Sequence, residues 1–183
     1  VGFVPTMGGI HNGHISLIKA SQKKKKKTIV SIFVNPTQFN KKIDFKKYPR
    51  NIKKDIILLK KLNVNYLFIP NSKDIYKFKA KKFFLRKKDK ILCAKFRKGH
   101  FEGVLNVMNR LMSIIKSKDL FMGEKDYQQL YLIKKFLSKK FDVRINACPT
   151  IRAVDKVALS TRNKLLNKKS LKKASQIAKL LIK

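Results

Sequence analysis

The sequence is poor in several residue types that define whole classes of proteins. Among its 183 residues are only two cysteines, Cys93 and Cys148, ten acidic residues and no tryptophan. The two cysteines fit no metal-ligand or disulfide spacing, so we expect reduced thiols in a cytoplasmic protein. The first residues lack the basic, apolar and small-residue parts of a signal peptide, and no uncharged apolar run is long enough to span a bilayer. These absences argue against a disulfide-stapled, metal-cluster or membrane protein.

The positive charge is the largest departure from ordinary composition. Lysine and arginine number 46, which gives a formal net charge of +36 and suggests a basic RNA- or DNA-binding module. However, the excess is nearly all lysine, it is spread along the chain, and it accompanies much isoleucine, asparagine and phenylalanine, as A/T-rich codons produce. The one long lysine block, residues 23–27, is interpreted as a solvated loop after a helix. We therefore expect no physiological nucleic-acid partner, only weak, salt-sensitive attraction to polyanions.

Strand-like apolar runs alternate with helical patterns along the chain. The predicted strands are 1–5, 28–34, 66–69, 119–122 and 143–147, and the helical patterns begin near residue 15 and then cover 52–62, 104–115, 127–137 and 167–183. Such alternation predicts an α/β fold with a Rossmann-like, doubly wound parallel sheet. In the common nucleotide-binding order the first and fourth strands are neighbours, so the loops after residues 5 and 122 should face each other. We assign residues 1–150 to this domain.

Two segments do not fit the alternation. Residues 72–98 are rich in lysine and poor in periodicity, and we interpret them as a surface excursion. The tail helix at 167–183 has one apolar face whose packing partner is not in the sequence, so residues 151–183 are predicted to begin a truncated second domain.

The loop after the first strand carries two histidines, His11 and His14, on either side of Gly13. Here a strand passes into a helix, whose free N–H groups and partial positive charge suit a phosphate. The imidazoles add donors, and the glycine allows the backbone to approach a ligand closely. Two ordinary turn histidines are the alternative, but the flanking strand, turn and helix favour the phosphate site.

This loop, HNGH, resembles the HIGH signature of the adenylyl-transferring superfamily that includes class I aminoacyl-tRNA synthetases. The longer string VPTMGGIHNGHISLI resembles the pantothenate synthetase (pantoate–β-alanine ligase) family. Further segments agree in order and spacing, namely SIFVNPTQF with YPR shortly after, FRKGHFEGV, FMGEKDYQQL and VALSTRN. All three histidines and both glutamates of the chain lie inside these segments.

The resemblance implies a cytoplasmic, homodimeric, ATP-dependent ligase of coenzyme A precursor biosynthesis. Pantoate attacks ATP to give pantoyl-adenylate and pyrophosphate, and β-alanine then displaces AMP to give pantothenate, with Mg²⁺ accompanying ATP. Both nucleophiles belong to substrates, so the protein is expected to position groups and stabilise charge. The motifs agree with this expectation, because they supply hydrogen-bond donors and cations and no Ser–His–Asp or Cys–His set.

The resemblance also implies particular residues. The catalytic residues are His14, as proton donor, with His11 and Lys125. Gln38 and Gln129 hold pantoate and lie near β-alanine, and Asp126 suits Mg²⁺ or ribose. The implied ATP site consists of Met7, Gly8, Gly9, Ile10, His11, Asn12, Gly13, His14, Gly123, Glu124, Lys125, Asp126, Ile151 (through its backbone), Leu159, Ser160, Thr161 and Arg162.

Other motif residues are left with two interpretations. Tyr48, Arg97 and their neighbours pack or orient the substrate pocket, whereas His100 and Glu102 either support the site or are structural. Thr161 stands where a second serine is common in the family.

Two rival functions remain at this stage. The chain resembles other HIGH-type nucleotidyltransferases acting on a phosphorylated cofactor precursor, although these do not account for NPTQF, GEKDYQQ and LSTRN together. An inactive remnant of the ligase is the second rival. Because the family's C-terminal domain acts as a lid, we expect this chain to bind ATP weakly and to make little pantothenate without it.

Overall fold

The computed structural model describes residues 1–25, 27–77, 80 and 82–182, and within these ranges it contains one five-stranded sheet. The strands are β1 (Gly2–Thr6), β2 (Thr28–Ile32), β3 (Tyr66–Phe68), β4 (Asp119–Gly123) and β5 (Arg144–Cys148). All neighbouring strands pair in parallel, in the order β3-β2-β1-β4-β5. The predicted α/β class and parallel sheet are confirmed.

Helices connect the strands. They are α1 (Asn12–Lys24), α2 (Lys42–Lys47), α3 (Ile52–Lys61), α4 (Ser72–Tyr76), α5 (Cys93–Phe96), α6 (His100–Ile115), α7 (Tyr127–Phe141) and α8 (Lys168–Leu181), with short 3₁₀ turns at Pro36–Gln38, Lys87–Asp89, Glu124–Asp126 and Thr161–Leu165. Helices α1, α3, α6 and α7 follow the predicted apolar periodicity, because each buries one stripe against the sheet.

Side chains of the central strands alternate between two cores, one on each face of the sheet. On β1, Phe3 packs with the buried side chains of α6 and α7, whereas Val4 packs with those of α1 and α3. Both residues are fully buried, as expected where the strand period of two meets a helix layer on each side. The sheet is therefore doubly wound.

The strand order places a switch point between β1 and β4. Gly2 of β1 pairs with Thr28 on one side and with Asp119 on the other. The chain thus leaves the carboxyl ends of β1 and β4 at adjacent positions, where ligands bind in open parallel sheets.

The interpretation of residues 72–98 as a surface excursion is wrong for part of the segment. Ile75, Leu85 and Ala94 are buried and belong to the core on the α6 and α7 face. Asp89 is also buried and forms an ion pair with Lys135 of α7. Apolar side chains spaced this irregularly carry no helical or strand period, so their burial depends on tertiary packing. Residues 78, 79 and 81 lie outside the described ranges.

The lysine block is only partly a solvated loop. Lys23 and Lys24 belong to α1, and Lys25 forms a 2.6 Å ion pair with Asp119, which is 2% exposed at the amino end of β4. Burial alone raises the pKa of Asp119, but Arg144 and Lys25 outweigh burial and lower that pKa below its ordinary value. Lys25 therefore neutralises a buried carboxylate, and residue 26 lies outside the described ranges.

The final helix, α8, has no buried residue, and Ile177, Leu180 and Leu181 of its apolar face are exposed. Residue 183, at the end of the predicted tail helix, lies outside the described ranges. Within those ranges, no helix has the length and apolar content needed to cross a bilayer.

Candidate active site

The two histidines close the amino end of α1 with a reciprocal pair of hydrogen bonds. The backbone N–H of Gly13 donates to Nδ1 of His11 (3.1 Å), and the backbone N–H of His11 donates to Nδ1 of His14 (3.3 Å). This is a capping box with imidazoles in place of the usual hydroxyl and carboxylate. A Cβ on residue 13 would lie 2.8 Å from Cε1 of His11. The cap thus uses histidines at positions 11 and 14, and the His11 ring leaves no room for a side chain at position 13.

The cap also fixes the proton positions on both rings. Because Nδ1 accepts a hydrogen bond in each imidazole, the neutral tautomer carries its proton on Nε2. Burial, followed by the charges of Lys125 and Lys164, lowers the pKa of His11 below its ordinary value of 6.5. Burial, followed by His11 and Lys125, lowers the pKa of His14 to about 3. Near neutral pH the site therefore presents two neutral imidazoles whose Nε2–H groups are donors.

Lys125 reaches the same cavity from the loop after β4. Its Nζ lies 3.0 Å from Oδ1 of Asp126, and both side chains are partly solvent-exposed. A cavity of about 250 Å³ at the carboxyl ends of β1 and β4 is lined by His11, His14, Lys125 and Asp126. The prediction that the two loops face each other is confirmed.

The other end of the cavity is built on the Pro36–Gln38 turn. Asn35, which is 1% exposed, caps this turn and donates from Nδ2 to Oε1 of Gln38 (3.1 Å) and to the carbonyl of Gly103 (3.2 Å). A Cβ on Gly103 would lie 2.5 Å from the carbonyl oxygen of Thr37. The FEGV motif therefore contains the glycine that allows α6 to pack directly against the turn carrying Gln38.

His100 and Arg97 line the cavity beside this turn. Nδ1 of His100 lies 2.6 Å from the carbonyl oxygen of Gln38, so Nδ1 carries the proton and donates it. The Arg97 guanidinium makes no hydrogen bond or ion pair with any described residue, and burial lowers the pKa of Arg97. His100 thus supports the turn, whereas Arg97 has free donors inside the cavity. Glu102 does not line this cavity.

The LSTR segment (residues 159–162) packs against the loop that follows β1. Oγ1 of Thr161 donates to the carbonyl of Gly9 (3.2 Å), and Leu159 N–H donates to the carbonyl of Ile151 (2.9 Å). Arg162 pairs with Asp44 at 3.3 Å, and its guanidinium lies 5.1 Å from the ring centre of Tyr48. These contacts fix the cavity-lining residues 159–162 against a loop whose Gly9 is 152 positions from Thr161 in sequence.

The structure divides the predicted site residues into two groups. Those that line the cavity are Met7, His11, Gly13, His14, Gln38, Gly123, Lys125, Asp126, Gln129, Ile151, Leu159, Ser160, Thr161 and Arg162. Those predicted for the ATP site that do not line it are Gly8, Gly9, Ile10, Asn12 and Glu124. For the first three of these the reason is visible, because their backbone groups contact Asp55 or Thr161 of the protein itself.

Several site residues were not predicted from the sequence. Asp55 accepts hydrogen bonds from two backbone N–H groups of the first loop, Asn35 supports Gln38, and Asp44 pairs with Arg162. Asn35 was detectable, since Asn before Pro-Thr is a typical cap signal. An aspartate four residues after Asn51 in a helical pattern carries no comparable signal.

The described residues do not form a metal site from protein side chains alone. They contain no cluster of three or more histidine, cysteine, aspartate or glutamate side chains arranged to hold an ion. Asp126 is the one carboxylate among the described residues that line the cavity.

A parallel sheet with a histidine-capped helix at its switch point, and a lysine opposite, defines a nucleotide-binding α/β protein of the HIGH type. Sequence comparison identifies the family: its profile, described as pantoate-beta-alanine ligase, matches residues 1–183. A pantothenate synthetase from Francisella tularensis subsp. novicida is 46% identical over 187 aligned residues, covering 99% of this chain and 70% of that protein. The chain belongs to the pantoate–β-alanine ligase family.

Solved structures agree with this assignment. A Francisella tularensis pantoate-beta-alanine ligase, complexed with beta-gamma ATP and beta-alanine, superimposes with a TM-score of 0.93 at 45% identity, covering all of this chain and 71% of that one. Pantothenate synthetase from Thermus thermophilus gives a TM-score of 0.94 at 35% identity, covering 99% of this chain and 67% of that one. The family predicted from HNGH and the four further motifs is confirmed.

Proposed function

We propose that the cavity between β1 and β4 joins pantoate to β-alanine at the expense of ATP, through pantoyl-adenylate. The observation that carries the proposal is the convergence of two Nε2–H imidazoles, one lysine and two glutamines on a single cavity. The first three suit a triphosphate, and the glutamines suit the hydroxyls and carboxylate of pantoate. The crystal structure of the Francisella relative, in complex with beta-gamma ATP and beta-alanine, supports two of these three substrates.

In the first step a pantoate carboxylate oxygen attacks the α-phosphorus of ATP, and the bond from that phosphorus to the bridging oxygen of pyrophosphate breaks. Negative charge grows on the phosphate oxygens and on the departing pyrophosphate. His11 and His14 donate Nε2–H bonds to these oxygens, and Lys125 supplies a compact positive charge. Because the imidazoles are neutral and already oriented by the cap, they need little rearrangement.

In the second step the β-alanine amine attacks the acyl carbon, and the bond from that carbon to the bridging oxygen breaks. AMP leaves with the oxygen that came from pantoate, and the amine loses a proton to form the amide. Gln38 and Gln129 hold the pantoyl group. Arg97, whose guanidinium makes no hydrogen bond or ion pair with any described residue, binds the carboxylate of β-alanine.

We infer that Mg²⁺ enters with ATP. Magnesium is usually held by one or two carboxylates together with substrate phosphates and water, so the lone Asp126 fits the requirement. Once bound, the ion would neutralise phosphate charge, and Asp126 would then exchange its contact with Lys125 for the ion or its water.

We also propose a cytoplasmic homodimer. The free thiols of Cys93 and Cys148 support a reducing compartment. The exposure of large apolar side chains on the described surface, such as Phe84, Phe96 and Tyr127, supports an interface. Light scattering coupled to gel filtration tests the dimer, and a monomeric mass at working concentration would contradict it.

The division proposed from the sequence is kept, with residues 1–150 binding substrates and residues 151–183 beginning a second unit. The lack of buried residues in α8 supports the division. Limited proteolysis tests this division. The first cleavages should occur within residues 151–183, and equal resistance along the whole chain would contradict the division.

Substrate dependence tests the function itself. Pyrophosphate release should require pantoate together with ATP, and AMP release at full rate should require β-alanine as well. A rival nucleotidyltransferase would release pyrophosphate with a phosphorylated cofactor precursor and ignore pantoate. Release that is independent of pantoate would therefore overturn the proposal.

A further inference from the structure

We propose that Asp55 is a positioning residue for adenylation. Its carboxylate fixes the glycine turn (residues 8–10), which lies between the histidines and the LSTR segment (residues 159–162). The inference rests on the proposed function and adds a residue that neither the motifs nor the cavity lining identifies.

The glycine turn directs two successive amides inward, to a carboxylate of the protein. Gly9 N–H donates to Oδ2 of Asp55 (2.8 Å), and Ile10 N–H donates to Oδ1 (2.9 Å). Gly8 and Gly9 both have left-handed backbone angles, with φ of 78° and 62°. Consecutive amides in such a turn form a concavity that binds anions. Here the anion is built into the chain, so these amides are not available to a phosphate.

Asp55 is unusual among the acidic residues of so basic a chain. It is 4% exposed, yet it forms no ion pair with a lysine or arginine of the described ranges. Its charge is balanced by the two turn amides and by its place in the first turn of α3, where the helix dipole favours an anion. The hydrogen bonds of this buried carboxylate therefore connect α3 to the glycine turn and not to the solvent-facing lysines.

The opposite side of the turn is held by Thr161. The hydroxyl of Thr161, which is 4% exposed, donates to the carbonyl of Gly9, and a Cβ on Gly9 would lie 2.3 Å from Cγ2 of Thr161. A Cβ on Gly8 would lie 3.0 Å from Oδ2 of Asp55. The turn is therefore fixed from both sides, by amides toward Asp55 and by a carbonyl toward Thr161.

Two parts of the active site depend on this turn. His11, the cap of α1, directly follows Ile10, and Ser160 and Arg162 flank Thr161 in the cavity wall. If the turn moves, the imidazoles and the LSTR segment change position relative to each other. Asp55 thus controls the distance between two groups that act on the same triphosphate, although it does not line the cavity itself.

The test compares Asp55→Asn with Asp119→Asn. Both variants neutralise a buried carboxylate, but Asp119 lies at the amino end of β4, away from the cavity. Both should lower the melting temperature. At a temperature where both are folded, Asp55→Asn should slow pantoate-dependent ATP–pyrophosphate exchange by roughly 10²-fold, the cost of misplaced reacting groups. Asp119→Asn should retain the wild-type exchange rate, and hydrogen exchange at the Gly9 and Ile10 amides should accelerate only in Asp55→Asn.

Wild-type exchange kinetics in folded Asp55→Asn would overturn the inference, since a purely structural carboxylate lowers stability alone. If Asp55→Asn does not fold, Asp55→Glu takes its place, because the glutamate keeps the charge but its longer side chain displaces the two turn amides. Asp55→Glu should again slow pantoate-dependent exchange, and wild-type exchange in this folded variant would overturn the inference. If the wild type shows no pantoate-dependent exchange, the proposed function fails, and the amide exchange of Asp55→Asn against Asp119→Asn still tests the contact.

Discussion

The individual side chains of the active site are oriented mainly by backbone groups. His11 and His14 each use Nδ1 to accept a backbone N–H, and His100 uses Nδ1 to donate to a backbone carbonyl. An imidazole fixed at one nitrogen presents the other in a known protonation state. The scarce histidines of this lysine-rich chain therefore act as oriented donors, which lysine cannot replace because its ammonium rotates freely.

Lys125 is the cation whose removal should affect chemistry most. Replacing Lys125 with alanine should lower the single-turnover rate of adenylation by roughly 10²–10³-fold, the range for losing one preorganised donor. Rapid quench of the pyrophosphate released measures this rate. Lys134→Ala, on the exposed side of α7, removes the same charge without touching the cavity and should keep the wild-type rate. Equal rates in the two variants would refute the role of Lys125.

The low pKa of His14 makes a prediction about acid stability. The folded-state pKa is about 3, against an ordinary value of 6.5. Between these values the unfolded chain binds a proton that the folded protein excludes, so stability should fall as the pH drops below about 6.5. Melting temperatures measured from pH 7.5 to pH 4 should therefore decline less in His14→Gln than in the wild type. Parallel curves for both proteins would contradict the assigned pKa.

Secondary-structure elements meet at the active site through close backbone contacts. The clearest is the packing of α6 on the Pro36–Gln38 turn, where Gly103 leaves no space for a side chain. Gly103→Ala should push the turn away, lower the free energy of unfolding by about 1–3 kcal/mol, and raise the KM for pantoate through displacement of Gln38. Ser113→Ala, on the exposed part of the same helix, should change neither quantity. An unchanged KM for pantoate in Gly103→Ala would contradict the role of this contact.

The elements themselves were largely predictable. An apolar, β-branched run predicts the β2 strand, and its burial on both faces follows from that pattern. By contrast, α2, α4 and α5 are four to six residues long, too short for a period to be recognised. The start of α6 at His100 was not predicted either, because its first turn is fixed by the contact of His100 with Gln38, and not by apolar spacing.

In the active site, too, features fixed by neighbouring residues can be predicted from the sequence, whereas contacts between distant residues cannot. The HNGH cap is local, so its residues and their orientation follow from four neighbouring positions. The contacts of Asp55 with Gly9 and of Thr161 with the same turn join residues 46 and 152 positions apart, respectively. No local pattern encodes such pairs, and only the packed fold brings them together.

The molecule as a whole carries far more positive charge than its chemistry requires. We expect most of these lysines to be replaceable, with Lys25 as an exception because it neutralises Asp119. Replacing Lys23 and Lys24 with glutamine should leave the adenylation rate unchanged, because neither lysine lines the cavity. Lys25→Gln should lower the melting temperature and leave the rate intact, because Asp119 lies away from the cavity. A large loss of activity in the Lys23 and Lys24 variant would instead favour a functional polyanion partner.

The proposed reaction requires a single adenylate, formed between the histidine cap and Lys125. Pantoate labelled with ¹⁸O in both carboxylate oxygens tests this most directly, in a single turnover with protein in excess over ATP and with β-alanine present. Because pantoate oxygen attacks phosphorus and AMP departs with that oxygen, mass spectrometry should find one ¹⁸O in AMP and one in pantothenate. AMP without label, or label in pyrophosphate or inorganic phosphate, would contradict it.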